Sequence, residues 1–99
     1  CEEGGPRLIA LPSMMKLYQN VPNPFNPSTT LTYFLPGDAM IDLRVYDAVG
    51  REIAVLDRGT RGAGIHSVVF DGGGLGSGSY FAVLRSGKDV EIVRMILLM

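Results

Sequence analysis

Few residues in this chain could do chemistry, and none falls into a catalytic pattern. Its 99 residues hold one histidine, His66, and one cysteine, Cys1. That excludes an intrachain disulfide and a Cys/His zinc site. His66 stands in a β-type run beside Val68 and Phe70, and no nucleophile elbow accompanies it. A Ser-His-Asp arrangement therefore has no support, and His66 reads as structural. Asp47 and Asp71 could share a calcium ion with loop carbonyls, but both begin turns, where an aspartate caps backbone N–H groups. The glycine-rich stretch Gly72–Gly78 lacks the Gly-Lys-Ser/Thr ending of a phosphate-binding loop, and no helix follows to supply a dipole. Tyr18, Tyr33, Tyr46 and Tyr80 could form a sugar-stacking platform, although aromatics on strands more commonly pack in a core. No catalytic residue, metal or cofactor is expected, and the chain is not expected to be an enzyme.

The elements that would position these residues read as strands throughout. Thr29–Leu35 alternates Leu31, Tyr33 and Leu35 with Thr30 and Thr32. Met40–Asp47 sets Ile41, Leu43 and Val45 against Asp42 and Arg44, the pattern of a half-buried antiparallel strand. Asp47-Ala48-Val49-Gly50 reads as a tight turn into a strand over Glu52–Asp57. Arg58–Gly64 reads as a turn cluster, Ile65–Phe70 as a strand and Asp71–Gly78 as a connection. Ser79–Arg85 is apolar on both faces, as in a central strand, and Ser86–Asp89 is a hairpin turn. Val90 to about Leu98 is the last strand; its nearly continuous apolar run favours a central or sandwich-core position over one that meets another protein. No segment shows capped helical periodicity. The expected fold is all-β: an antiparallel, immunoglobulin-like β-sandwich of about seven strands.

Composition agrees with one small domain. The net charge of −1 gives no reason to expect nucleic acid or an anionic membrane as partner, and no apolar run is long enough for a transmembrane span. Residues 1–14 read as a linker or the end of an upstream module, with Glu2, Glu3, Gly4, Gly5 and Pro6 as linker composition. Arg7–Leu11 could add a short edge strand. Cys1 reads as a fragment boundary, with the lipid-bearing cysteine of a lipoprotein as the alternative. Residues 15–99 form the expected domain. Its entrance, Leu17–Pro27, packs three prolines and three asparagines into eleven residues, so it reads as a rigid irregular loop. Phe25 is expected to tuck under the domain and pin it.

Five segments in order resemble the type A C-terminal sorting domain of type IX secretion cargo, also described as a FlgD-like immunoglobulin-like domain. They are Leu17–Thr30, Leu43–Arg51, Ala63–His66 with Phe70–Gly72, Gly76–Phe81, and Arg94–Leu98. The family commonly has Trp where Phe70 stands and a basic residue at its end, where this chain has Met99. The resemblance implies a domain that is recognised rather than catalytic, at the end of a secreted, usually multimodular protein of Bacteroidetes-type bacteria. Its partners would be the type IX translocon, a sortase-like peptidase that removes the domain, and an upstream catalytic or binding module in the same chain. Its route would run through the periplasm to the cell surface or beyond. By the same resemblance, Pro22, Asn23, Pro24 and Phe25 are the candidate recognition loop, and Gly50, Gly78, Tyr80 and Arg94 set turns and the closing strand. The alternative expectation is a carbohydrate-binding or structural accessory module of a secreted glycoside hydrolase.

Overall fold

The computed structural model describes residues 14–98. The expected linker up to residue 13, the strand expected at Arg7–Leu11 and Cys1 lie outside the described residues. Seven strands follow one another: β1 (Lys16–Leu17), β2 (Ser28–Leu35), β3 (Ala39–Asp47), β4 (Glu52–Arg61), β5 (Gly64–Asp71), β6 (Gly78–Ser86) and β7 (Asp89–Leu97). They pair antiparallel in two sheets, ordered β1-β2-β5 and β4-β3-β6-β7. The chain passes between sheets after β2, β4 and β5, which makes the fold an immunoglobulin-like β-sandwich. Among the described residues no helix is long and apolar enough to cross a membrane.

The period-two alternation read from the sequence is what closes the core. Leu31, Tyr33 and Leu35 of β2 face Ile41, Leu43 and Val45 of β3 and Tyr80, Ala82 and Leu84 of β6, all buried. Phe70, Met95 and Leu97 complete the same cluster. Area removed from water at such positions contributes about 1.5–3 kcal/mol for each large side chain.

Three polar ties fix how the sheets and turns meet. Across the sandwich, the Tyr33 hydroxyl donates to Asp57 Oδ2 at 2.6 Å. Burial pushes the Tyr33 phenol well above its usual value, and its bond to Asp57 adds to this. Burial also opposes ionisation of Asp57, but hydrogen bonds from Arg61 and Tyr33 outweigh it and hold that carboxyl below the usual range. At the other flank the Leu17 N–H donates to Glu91 Oε1 at 3.2 Å. Within the β3–β4 turn, Asp47 Oδ1 accepts from Val49 N–H (3.0 Å) and Arg51 N–H (2.9 Å). Gly50 closes the turn at φ 91°, an angle that glycine adopts freely.

Two expectations are corrected. The turn cluster expected at Arg58–Gly64 is mostly strand: β4 runs on to Arg61, because β3 offers it partners as far as Ala39↔Arg61 and Gly59 pairs with Ile41 inside the ladder. Only Gly62 and Ala63 remain to connect β4 to β5. Of the two positions expected for the last strand, sandwich-core holds and central does not. β7 lies at the edge of its sheet, with Met95 and Leu97 inward and Val90 and Ile92 exposed on the outer face. Its apolar run therefore serves the core with alternate residues only.

Candidate functional site

The loop between β1 and β2 folds onto β7 and makes one surface of the chain's entrance and its closing strand. Three X-Pro bonds in it, before Pro22, Pro24 and Pro27, are cis. Phe25 is 1% exposed and lies edge-on to Phe70, ring centroids 5.9 Å apart. This is the pin expected from the sequence, and Phe70 fits the core at 3% exposure. Around Phe25 the backbone pairs with β7: the Phe25 N–H donates to the Ile96 carbonyl (2.9 Å), and the Leu98 N–H donates to the Phe25 carbonyl (3.0 Å). Phe25 and Leu97 form an isolated parallel bridge.

Side chains extend this pairing where backbone does not reach. Asn23 Oδ1 accepts from the Ile96 N–H at 3.0 Å, and Asn23 Nδ2 donates to the Arg94 carbonyl at 3.5 Å. Gln19 Nε2 donates to the same carbonyl at 2.7 Å and to Asn20 Oδ1 at 2.7 Å. Asn20 is 1% exposed, and its Nδ2 donates to the Pro22 carbonyl (2.9 Å) and to Thr29 Oγ1 (3.0 Å). Thr29 Oγ1 donates in turn to the Pro22 carbonyl at 2.8 Å. A buried amide with each polar atom bonded stiffens its surroundings and leaves no unpaired group to pay for in lost hydration. Pro22, Asn23 and Pro24 remain exposed at the rim of this network.

Gly72 is the close-approach residue of the site. Its N–H donates to the Pro27 carbonyl at 2.8 Å. A Cβ there would lie 3.1 Å from Leu97 Cδ2, 3.2 Å from Phe25 Cε2 and 3.3 Å from Pro27 O. Loop, β5 end and β7 thus meet at a point where only glycine fits without displacement.

The other residues singled out from the sequence lie at the same end of the sandwich. Gly78 opens β6 opposite Leu97, and Tyr80 pairs with Met95. The Tyr80 hydroxyl donates to the Gly76 carbonyl at 2.7 Å. Asp47, Val49 and Arg51, which flank Gly50 in the β3–β4 turn, border a shallow depression with Ser77–Tyr80. Arg94 points outward and meets Ser79 Oγ from Nε (3.3 Å) and Nη2 (3.2 Å). Sequence reasoning missed Gln19 and Thr29 as parts of this end and assigned Asn20 no more than turn geometry. The Gln19 partner on β7 lies 75 residues away, beyond the reach of any local signal, whereas Asn20 and Thr29 bond to each other across the cis-proline turn, 9 residues apart.

Other residues with chemical potential are used structurally. His66 stacks on Tyr33, centroids 5.1 Å apart, and its Nε2 bonds to the Gly62 carbonyl at 2.7 Å. That carbonyl can only accept, so Nε2 carries the proton. Asp71 Oδ1 accepts from the Gly73 N–H at 2.8 Å, the turn cap expected for it. Tyr33 and Tyr80 are buried, which removes two of the four tyrosines from any sugar platform. Among the described residues no group of three or more His, Cys, Asp or Glu is gathered as a metal site would require. Neither a protein-family model nor a curated protein matches the chain.

Proposed function

We propose that this domain is a sorting signal of the type A, type IX secretion class, read by the secretion machinery at the surface shared by the Pro22–Phe25 loop and β7. One observation carries the reading. Segments resembling the family's first and last motifs are joined here by Phe25, Asn23 and Gln19 into a single continuous surface. Segments resembling the second and fourth motifs flank it through the β3–β4 turn and the start of β6. In the third segment Phe70 and Gly72 reach it, whereas Ala63–His66 sits at the opposite end, where Gly64 pairs with Leu35.

On this reading the domain does no chemistry of its own. It holds a rigid, exposed loop in fixed register with the closing strand, so that a translocon component meets a preformed shape and loses little entropy on binding. The cargo would be an upstream module of the same chain, carried from the periplasm to the cell surface, and a sortase-like peptidase would release the domain in the linker before Leu17. A carbohydrate-binding role has less support, given the burial of Tyr33 and Tyr80.

The test fuses Leu17–Met99 to a periplasmic reporter in a bacterium possessing this secretion system. Surface display is expected for the unaltered domain. Replacing the exposed Pro22 and Pro24 together by alanine is expected to abolish display while thermal stability stays above the growth temperature. Full display by that folded variant sinks the assignment of the loop, and no display by the unaltered domain sinks the function.

A further inference from the structure

The outer face of the β4-β3-β6-β7 sheet, at the end far from the loop, carries more arginine than carboxylate: Arg44, Arg58 and Arg85 against Asp42 and Glu52. Asp42 on β3 stands directly between Arg58 on β4 and Arg85 on β6. Opposite charges placed across a ladder in this way ordinarily pair. Here the acid turns away along its own strand. Arg44 grips it from two sides, Nε to Oδ1 at 2.6 Å and Nη2 to Oδ2 at 2.8 Å. Arg44 also takes Glu52, Nη1 to Oε1 at 2.6 Å. One arginine thereby occupies both carboxylates of this part of the face.

The Arg44 bonds, and then the nearby charges of Arg58 and Arg85, hold the Asp42 carboxyl below its usual range, so the latter two guanidiniums feel Asp42 without bonding to it. Among the described residues the Arg58 side chain makes no hydrogen bond or ion pair, and Arg85 reaches only the Tyr46 hydroxyl, at 3.4 Å. Between them the surface dips into an open groove of about 680 Å³. Its exposed lining is mainly apolar and includes Met40, which is 71% exposed; Asp42, already gripped by Arg44, lies in it between the two arginines. The Ser86–Gly87 turn bounds it and is held to β3 by a bond from Ser86 Oγ to the Met40 carbonyl at 2.9 Å.

Charge and shape together select the occupant. Arginine pairs carboxylates in a two-pronged planar geometry, and two such forks flanking an apolar floor suit acids two residues to either side of an aliphatic one, because only alternate side chains of an extended segment share a face. A flat anionic bilayer would be met by cations ringing a protruding apolar group, whereas Met40 lines a concavity. We propose that this groove binds an acidic, extended segment of a partner polypeptide, with its carboxylates on Arg58 and Arg85 and an aliphatic side chain on Met40. The site is separate from the loop surface, so it stands or falls independently of the sorting reading.

The test is fluorescence anisotropy of the full chain with a labelled Glu-Ser-Leu-Ser-Glu peptide, whose two acids and leucine share one face when extended. Saturable binding that weakens with added salt is expected. The Arg58→Gln/Arg85→Gln double variant is expected to lose affinity about tenfold or more, and Met40→Ser to lose a smaller factor. All three side chains are exposed, so thermal melting should be unchanged; if the double variant melts early, Arg85→Gln alone replaces it. Absence of saturable binding, equal binding of a Lys-Ser-Leu-Ser-Lys peptide, unchanged affinity in the folded variants, or binding only to phosphatidylglycerol vesicles overturns the proposal.

Discussion

The two outer strands of the four-stranded sheet, β7 and β4, shield the same kind of exposed backbone by different means. An edge strand presents unpaired N–H and C=O groups that invite another chain. On β7 the edge is covered by the protein's own loop: Phe25 supplies backbone, while Asn23 and Gln19 supply side-chain atoms in place of a missing strand. On β4 the defence is in the strand itself. Glu52, Asp57, Arg58 and Arg61 charge it, and two register shifts against β3 distort it. The first device makes the β7 edge depend on a residue 73 positions away. The second depends on ionisation, because Asp57 is both an edge charge and the inter-sheet partner of Tyr33. Covering by a loop should therefore fail by loss of packing, and covering by charge should fail with pH.

The largest expected effect comes from unpinning the loop. Phe25→Ala should destabilise the domain by about 3–5 kcal/mol, as for other large-to-small core changes. Urea unfolding gives the value, and a loss under about 1 kcal/mol would mean that the loop is held by its hydrogen bonds rather than by Phe25. Next, Gly72→Ala should cost about 1–3 kcal/mol by forcing apart the loop carbonyl, Phe25 and Leu97. Crystallography of the variant should show Pro27 displaced, and an unmoved loop with full stability contradicts the close-packing account. Asn23→Ala should cost only about 0.5–1.5 kcal/mol, since water can reach the freed Ile96 N–H. Hydrogen exchange at Ile96 should quicken while exchange on β4 stays unchanged.

The smallest effect falls on β4 and has a definite sign. The Asp57 carboxyl is held below its unfolded value of about 3.9. Its ionised form therefore contributes stability that is present in full above that value and lost as pH falls through the lower, folded one. Unfolding followed from about pH 6 to pH 2 should show this loss, with a shallower acid slope in Asp57→Asn. An identical slope in the variant would mean that other carboxylates carry the acid response.

How much of this was legible beforehand follows the same division. The alternations Ile41-Leu43-Val45 and Tyr80-Ala82-Leu84, the Asp47–Gly50 turn and the burial of Phe25 could be read locally, because each rests on the period of a strand, the chemistry of a turn or one large apolar side chain among prolines. The length of β4 could not. Gly59, Gly62 and Gly64 favour turns locally, and only pairing with β3 keeps Arg58–Arg61 extended. Nor could the edge position of β7, since its apolar run looks the same whether the outer face is covered or exposed. The loop's candidate residues were found through a resemblance, whereas the bonds that make them a surface join positions too distant for any spacing rule.

The parallel bridge between Phe25 and Leu97 also has a mechanical side. Where two neighbouring segments run the same way, pulling one toward its N-terminal end and the other toward its C-terminal end slides them lengthwise past each other. Tension applied to the two ends of the domain would load the Phe25–Ile96 and Phe25–Leu98 bonds together rather than peel them one by one. A chain dragged through a pore by one end while its other end carries a bulky load would find in this contact a grip that resists shear.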